Sequence, residues 1–260
     1  MKLKLYQVDA FADCIFTGNP AAICPLENWL EDNVMQAIAA ENNLSETAFY
    51  VATDDGFHIR WFTPQCEIDL CGHATLATAY LLFELLNYQG DSIRFQSRSG
   101  ILSVTKQGVL LQMDFPSQAP MACELPAFLK DAFTIQPSAC LKAEDYILVF
   151  NSEQEINQTQ PKLAKLMQND LRGVIITAPS QQNYDFVSRF FAPNCGIDED
   201  PVTGSAHTQL MPYWSEQLGK LKLKAKQVSA RGGELWLEQK QDRVLISGKA
   251  ALYMQAEIYL

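Results

Sequence analysis

The chain has 260 residues, 48% of them hydrophobic and 19% charged, with a formal net charge of −10. That balance excludes a disordered or fibrous chain, and an acidic excess with scattered basic residues excludes a nucleic-acid binder, because phosphate neutralisation needs clustered Lys and Arg. A body of this size buries a core without staples, so seven cysteines lacking any C-x-x-C pair read as free, mostly buried thiols, with no disulfide or structural zinc.

The N-terminus runs directly into a strand alternation over 3–11 without the apolar core of a signal peptide, which points to a cytoplasmic protein. The Gly18-Asn19-Pro20 turn and an apolar run over 21–24 follow. Asp32 is placed to cap a helix that carries Met35, Ile38 and Ala39 on one face and ends at Asn42-Asn43. Strands are expected over 47–51 and 58–62. Residues 72–86 are apolar nearly all round, as in a helix enclosed by sheet, and the run over 74–86, interrupted by Thr78 and Glu84, is too short to span a membrane. Strands over 93–96, 101–106 and 109–115 come next, the last two joined at Gln107-Gly108. Residues 116–120 form the best domain boundary. Beyond it, strand patterns over 146–150, 174–178 and 184–191 lead to a helix over 205–218 that ends at Gly219, with a kink expected at Pro212. Strands over 227–230, 234–238, 243–247 and 250–260 complete the chain, and the alternating Lys220, Lys222, Lys224 and Lys226 read as a solvated strand face.

One motif occurs twice. Cys71-Gly72-His73-Ala74-Thr75 and Thr203-Gly204-Ser205-Ala206-His207 each open a helix after an acidic cluster, Glu67 and Asp69 before the first, Asp198, Glu199 and Asp200 before the second. A helix start rich in small residues presents unpaired N–H groups and the positive end of the dipole, which suits a carboxylate or a developing oxyanion. Two strand-rich halves, each around one buried helix, with a cleft for a small acid between them, are the expected architecture.

Four side chains are candidates for chemistry. Glu46 lies between a helix end and an apolar strand, a position that withdraws its carboxylate from water and suits it to shuttle a proton, or else it is an ordinary helix-end glutamate. His73, beside the positive helix end, is expected as a neutral ring able to give or take a hydrogen bond, or as a satisfied core histidine. Asp200 can accept from a substrate amine or hydroxyl, or simply favour the helix start. Ser205 is an N-cap, a substrate ligand, or both. His73, His207 and Asp200 lack any metal-binding spacing, so no metal is expected.

Phe16-Thr-Gly-Asn-Pro-Ala-Ala22, Leu44-Ser-Glu-Thr-Ala-Phe49, Cys71-Gly-His-Ala-Thr75, Glu199-Asp-Pro-Val-Thr-Gly-Ser-Ala-His207 and Arg231-Gly-Gly233 occur in the order seen in the phenazine-biosynthesis PhzF-like family, which the whole chain resembles. The resemblance implies an α+β, diaminopimelate-epimerase-like fold: two pseudo-symmetric lobes, 1–116 and 117–249, each a curved, mostly antiparallel sheet around a central helix, with 250–260 returning to the first lobe. It implies an isomerase without cofactor or metal, acting on a small carboxylate such as trans-2,3-dihydro-3-hydroxyanthranilate, and a homodimer without membrane or nucleic-acid partners. Glu46 would be the proton shuttle, with His73, Asp200 and Ser205 positioning substrate and the amides near Gly72-His73 and Gly204-Ser205 holding its carboxylate. The alternatives are a racemase or epimerase using Cys71, whose mirror position is Thr203 and for which Cys195 comes several residues too early, or a non-catalytic small-molecule-binding member.

Overall fold

Alternating apolar residues at the N-terminus form β1 (Lys2–Ala10), which pairs antiparallel with β2 (Asn19–Leu26). In the computed structural model, which describes residues 1–181 and 183–260, the chain divides into one unit of Met1–Asp114 with Ser247–Leu260 and a second of Phe115–Ile246. The first unit continues with α1 (Asp32–Asn42), β3 (Glu46–Thr53), β4 (Gly56–Phe62), β5 (Glu67–Ile68), α2 (Gly72–Tyr80), β6 (Ser92–Ser97), β7 (Gly100–Gln107) and β8 (Leu110–Pro116). In the second follow β9 (Met121–Ala122), α3 (Ala127–Ala132), β10 (Ala139–Lys142), β11 (Tyr146–Val149), α4 (Glu153–Gln158), α5 (Leu163–Leu166), β12 (Val174–Pro179), β13 (Phe186–Ala192), β14 (Ile197–Asp200), α6 (Gly204–Leu218), β15 (Lys222–Gln227), β16 (Gly233–Lys240) and β17 (Arg243–Gly248). The closing strand, β18 (Ala250–Tyr259), pairs antiparallel with β1.

The two units use the same strand grammar. In the first, β2 and β3 are parallel, β3 and β4 antiparallel, β4 and β6 parallel, and short β5 lies against β4. In the second, β11 and β12 are parallel, β12 and β13 antiparallel, β13 and β15 parallel, and short β14 lies against β13. Each parallel step is bridged by helix, as a parallel crossover requires: α1 and α2 in the first unit, α4 with α5 and then α6 in the second. The fold is therefore α+β, with two pseudo-symmetric halves.

The enclosed helix of the first half is α2, buried at every residue from His73 to Ala79 and packed on β1, β2, β3, β7 and β18. Its helical path extends through Leu85, but the last turn is a π-turn, closed by the Leu86 amide on the Leu81 carbonyl at 3.0 Å. Met35, Ile38 and Ala39 of α1 pack with Leu5, Cys24, Phe49 and Phe62. In the second half Leu129, Phe133, Ile156 and Leu166, from α3 to α5, pack with Leu148, Ile176, Val187 and Phe191.

Four local expectations change. Asp32 is the first helical residue rather than the cap: Glu31, with ψ 142, precedes it and its carbonyl accepts the Val34 and Met35 amides. The strand expected over 227–230 is instead β15, ending at Gln227, because Leu223, Ala225 and Gln227 are the buried set. Its lysines are not simply solvated. Lys224 pairs with Glu234 at 2.9 Å and lies over the Tyr184 and Trp236 rings. Pro212 lies inside α6, as expected, and the Thr208 carbonyl that loses its helical donor there accepts the Gln118 amide at 3.1 Å. The free cysteines are not mostly buried as expected: of the seven, Cys24, Cys71 and Cys140 are buried, Cys123 is intermediate, and Cys14, Cys66 and Cys195 are exposed. No described helix is long and apolar enough to cross a membrane.

The turn entering β2 carries a strict constraint. Gly18 has φ +69, and a Cβ there would lie 2.2 Å from the Ala10 carbonyl oxygen. Backbone cannot yield as a side chain can. Gly18→Ala is expected to lower unfolding free energy by roughly 2–4 kcal/mol in urea titrations.

Candidate active site

The left-handed Asn43, φ 50, stops α1 and turns the chain into β3 within three residues. Asn42 reinforces the turn by donating from Nδ2 to Thr47 Oγ1 at 3.0 Å. Glu46 is thereby fixed as the first residue of a buried strand, opposite Ala21 in the parallel β2/β3 pair, and is only 7% exposed. Cys71 caps α2 from an extended backbone, φ −143 and ψ 106, without a side-chain capping bond. Thr75 closes the first turn through its hydroxyl, which donates to the Cys71 carbonyl at 2.6 Å. His73 then stands in the first turn of α2, also 7% exposed.

Four side chains of the first unit meet here. Glu46 Oε2 is 3.0 Å from His73 Nε2. On the other side of the ring, Nδ1 is 3.4 Å from Asn19 Nδ2 and 3.5 Å from Cys71 Sγ. With the ring protonated, the Glu46 contact is an ion pair. Burial acts to lower the His73 pKa, but the Glu46 carboxylate beside Nε2 raises it above its ordinary value. The neutral ring expected from the helix dipole is thus corrected. A dipole end contributes about 0.3–1 kcal/mol, less than a carboxylate at contact distance in a site closed to water. Burial raises the Cys71 thiol pKa, with the Glu46 charge adding to it, so Cys71 is a neutral helix-start residue.

The second helix start is built differently. Thr203 caps α6 and its hydroxyl donates to the Asp200 carboxylate. Fully buried Gln227 accepts the Thr203 amide at 2.9 Å and donates to the Asp200 carbonyl at 2.8 Å. Ser205 is accordingly the second helical residue, not the cap. Its Oγ accepts from Arg172 Nη1 at 2.9 Å. Arg172 also donates from Nε to Asp145 Oδ1 at 3.0 Å and from Nη2 to the second oxygen. Asp145, with no solvent exposure, accepts further from Gln209 Nε2 of α6 at 2.6 Å. Arg172, Asp145, Gln209 and Gln227 carry no motif in the sequence; only the fold brings them to the Gly204-Ser205 turn. His207 is fully buried, with Nδ1 2.8 Å from the Thr203 carbonyl and Nε2 3.4 Å from Ser188 Oγ, so both ring nitrogens are engaged by the protein.

A sequence model described as phenazine biosynthesis-like protein, PhzC-PhzF, matches residues 8–256. The chain belongs to this family. Among its phenazine biosynthesis-like relatives is a protein of Pseudomonas aeruginosa named an isomerase, 53% identical over 260 residues and aligned over the whole of both chains. A PhzF-family crystal structure from Enterococcus faecalis superposes with a TM-score of 0.98 at 45% identity, again over both whole chains. A hydroxyproline epimerase of Agrobacterium vitis shares the fold alone, at 8% identity and a TM-score of 0.61 over 99% of this chain and 92% of that one.

Two stability predictions follow from the second unit. Burial holds the His207 pKa at about 4, against 6.5 ordinarily. The unfolded chain therefore takes up a proton below pH 6.5 that the folded chain refuses until near pH 4, and stability falls across that window. At 1.36 kcal/mol per unit the loss has a ceiling of about 3 kcal/mol, and unfolding curves of His207→Asn should show an acid limb flatter by up to that amount. Asp145→Ala leaves Arg172 and Gln209 without their shared acceptor and should cost about 3–5 kcal/mol in chemical denaturation.

Proposed function

We propose that this family member is an isomerase that relocates a proton on a small carboxylate-bearing substrate, with Glu46 taking the proton from one carbon and returning it to another. The observation that carries the reading is the buried Glu46 carboxylate at 3.0 Å from His73 Nε2, at the start of the enclosed helix. One group that both accepts and delivers a proton needs no cofactor and no metal. His73 offers a positive charge to the negative charge that develops on substrate during transfer.

The remaining roles rest on the family motifs. The Gly72, His73, Gly204 and Ser205 amides, at two helix starts where intrahelical acceptors are lacking, suit the substrate carboxylate. Asp200 receives an amine or hydroxyl, and the Ser205 hydroxyl, oriented by Arg172, adds a further hydrogen bond. A ring compound of the trans-2,3-dihydro-3-hydroxyanthranilate type fits this chemistry, because moving one hydrogen along its conjugated ring is the whole reaction. The reading extends to a cytoplasmic homodimer. A two-thiol racemase is less well supported: the position matching Cys71 is Thr203, whose hydroxyl is engaged by Asp200.

The test is deuterium incorporation in D2O from trans-2,3-dihydro-3-hydroxyanthranilate, and then from a pool of small carboxylates, read by mass spectrometry. Wild type should label or isomerise a substrate, and Glu46→Gln should lower the rate at least 10²-fold while unfolding as wild type does. An undiminished rate in Glu46→Gln contradicts the reading.

A further inference from the structure

Cys123 and Cys140 hold their sulfurs 3.4 Å apart in the second unit, each a free thiol. We propose that this pair is a reversible oxidation site, which a small-molecule disulfide of the glutathione class converts to a Cys123/Cys140 disulfide that pins β9 and α3 to β10.

The strands set the geometry. Antiparallel β9 and β10 pair Met121 with Lys142 and Ala122 with Leu141. One further residue along that register puts Cys123 opposite Cys140, and the Cys123 amide donates to the Cys140 carbonyl at 3.0 Å. Directly opposed residues of an antiparallel pair have Cα atoms roughly 4.5–5.5 Å apart, inside the span of roughly 4.4–6.8 Å that a disulfide bridges. Closing the sulfurs from 3.4 Å to a bond of about 2.05 Å therefore takes side-chain rotation and leaves the ladder in place.

Access divides the work between the two thiols. Strand β9 is exposed and two residues long, and Cys123 follows it half-buried, whereas Cys140 is buried in the cluster that includes Leu129, Ala132, Phe133 and Tyr146. Burial, with Cys123 beside it, pushes the Cys140 thiol pKa up to about 12, so Cys140 is not the first attacker. Cys123 releases its proton to solvent and its thiolate attacks one sulfur of the small disulfide; a mixed disulfide forms on Cys123 and one small thiolate leaves. That thiolate takes the Cys140 proton. Cys140 Sγ then attacks Cys123 Sγ and expels the second small thiolate, which is protonated by solvent. Two electrons and two protons pass from the protein to the oxidant, giving one protein disulfide and two small thiols. In a reducing compartment the dithiol is the resting form. The bond closes the loop 124–139, which carries α3, and removing that freedom from the unfolded chain favours the folded second unit. This oxidation is independent of the isomerase reading.

The test treats the full-length protein, carrying Cys14→Ser, Cys66→Ser and Cys195→Ser to remove the exposed thiols, with glutathione disulfide, followed by alkylation, trypsin and mass spectrometry. The product should have lost the mass of two hydrogens, and the tryptic peptides 107–130 and 131–142 should be joined through Cys123 and Cys140 until dithiothreitol separates them. Cys140→Ser should instead accumulate one glutathione on Cys123, and Cys123→Ser should take up glutathione about tenfold more slowly, or slower still. Oxidation should also shift the urea midpoint of the parent upward. No joined peptide at a large excess of glutathione disulfide overturns the proposal, as does a parent in which the glutathione adduct persists unresolved. Adduct formation in Cys123→Ser as fast as in Cys140→Ser overturns the order of attack, and an unchanged or lower urea midpoint overturns the pinning. The parent result decides the bond even if either variant fails to fold.

Discussion

The pairing of Glu46 with His73 is the interaction on which the candidate site depends. Both side chains are withdrawn from water, and an isolated charge of either sign there would be costly. At an effective dielectric of about 20, opposite charges about 3 Å apart attract with roughly 5 kcal/mol, more than the 0.3–1 kcal/mol with which a helix N-terminus disfavours an imidazolium. The helix start therefore does not set the charge of His73; its neighbours do. Everything around the pair serves to hold it: Gly18 admits the turn that delivers Asn19, left-handed Asn43 delivers Glu46, and the Thr75 hydroxyl fixes the turn that carries His73.

The two halves of the chain share a strand grammar but diverge at the helix start. In the first half the motif Cys-Gly-His supplies a titratable ring beside a carboxylate. In the second, Thr-Gly-Ser supplies hydroxyls that are already held, by Asp200 and by Arg172. Its own histidine, His207, is turned into the core, stacked on Phe186 and engaged at both nitrogens. The two halves thus differ at this point: one sets a titratable ring beside a carboxylate, the other holds its hydroxyls in fixed hydrogen bonds.

Much of this was legible in the chain. The apolar run after Cys71 marked an enclosed helix because seven successive residues are buried, and the Gly at 219 marked the end of α6, where it adopts φ 64. Sequence motifs drew attention to Glu46, His73, Asp200 and Ser205, and the meeting of the first two is a product of the parallel β2/β3 register and the position of α2. What escaped reading has a common cause. Helices α3 to α5 have six residues or fewer, too short to display an amphipathic period. Arg172 and Asp145 lie 27 residues apart in irregular segments, and their pairing is set by tertiary structure alone. The neutral state expected for His73 was wrong because local sequence shows a residue's helix position but not the carboxylate that a different strand brings to it.

The central claim is that Glu46 keeps His73 protonated in a buried site. The most direct measurement is a nitrogen-15 NMR titration of the His73 imidazole in wild type and in Glu46→Gln. The account predicts a ring that stays an imidazolium above the ordinary histidine range in wild type and titrates at distinctly lower pH in the variant. A neutral His73 ring at pH 7 in wild type, or the same titration in both proteins, would contradict it.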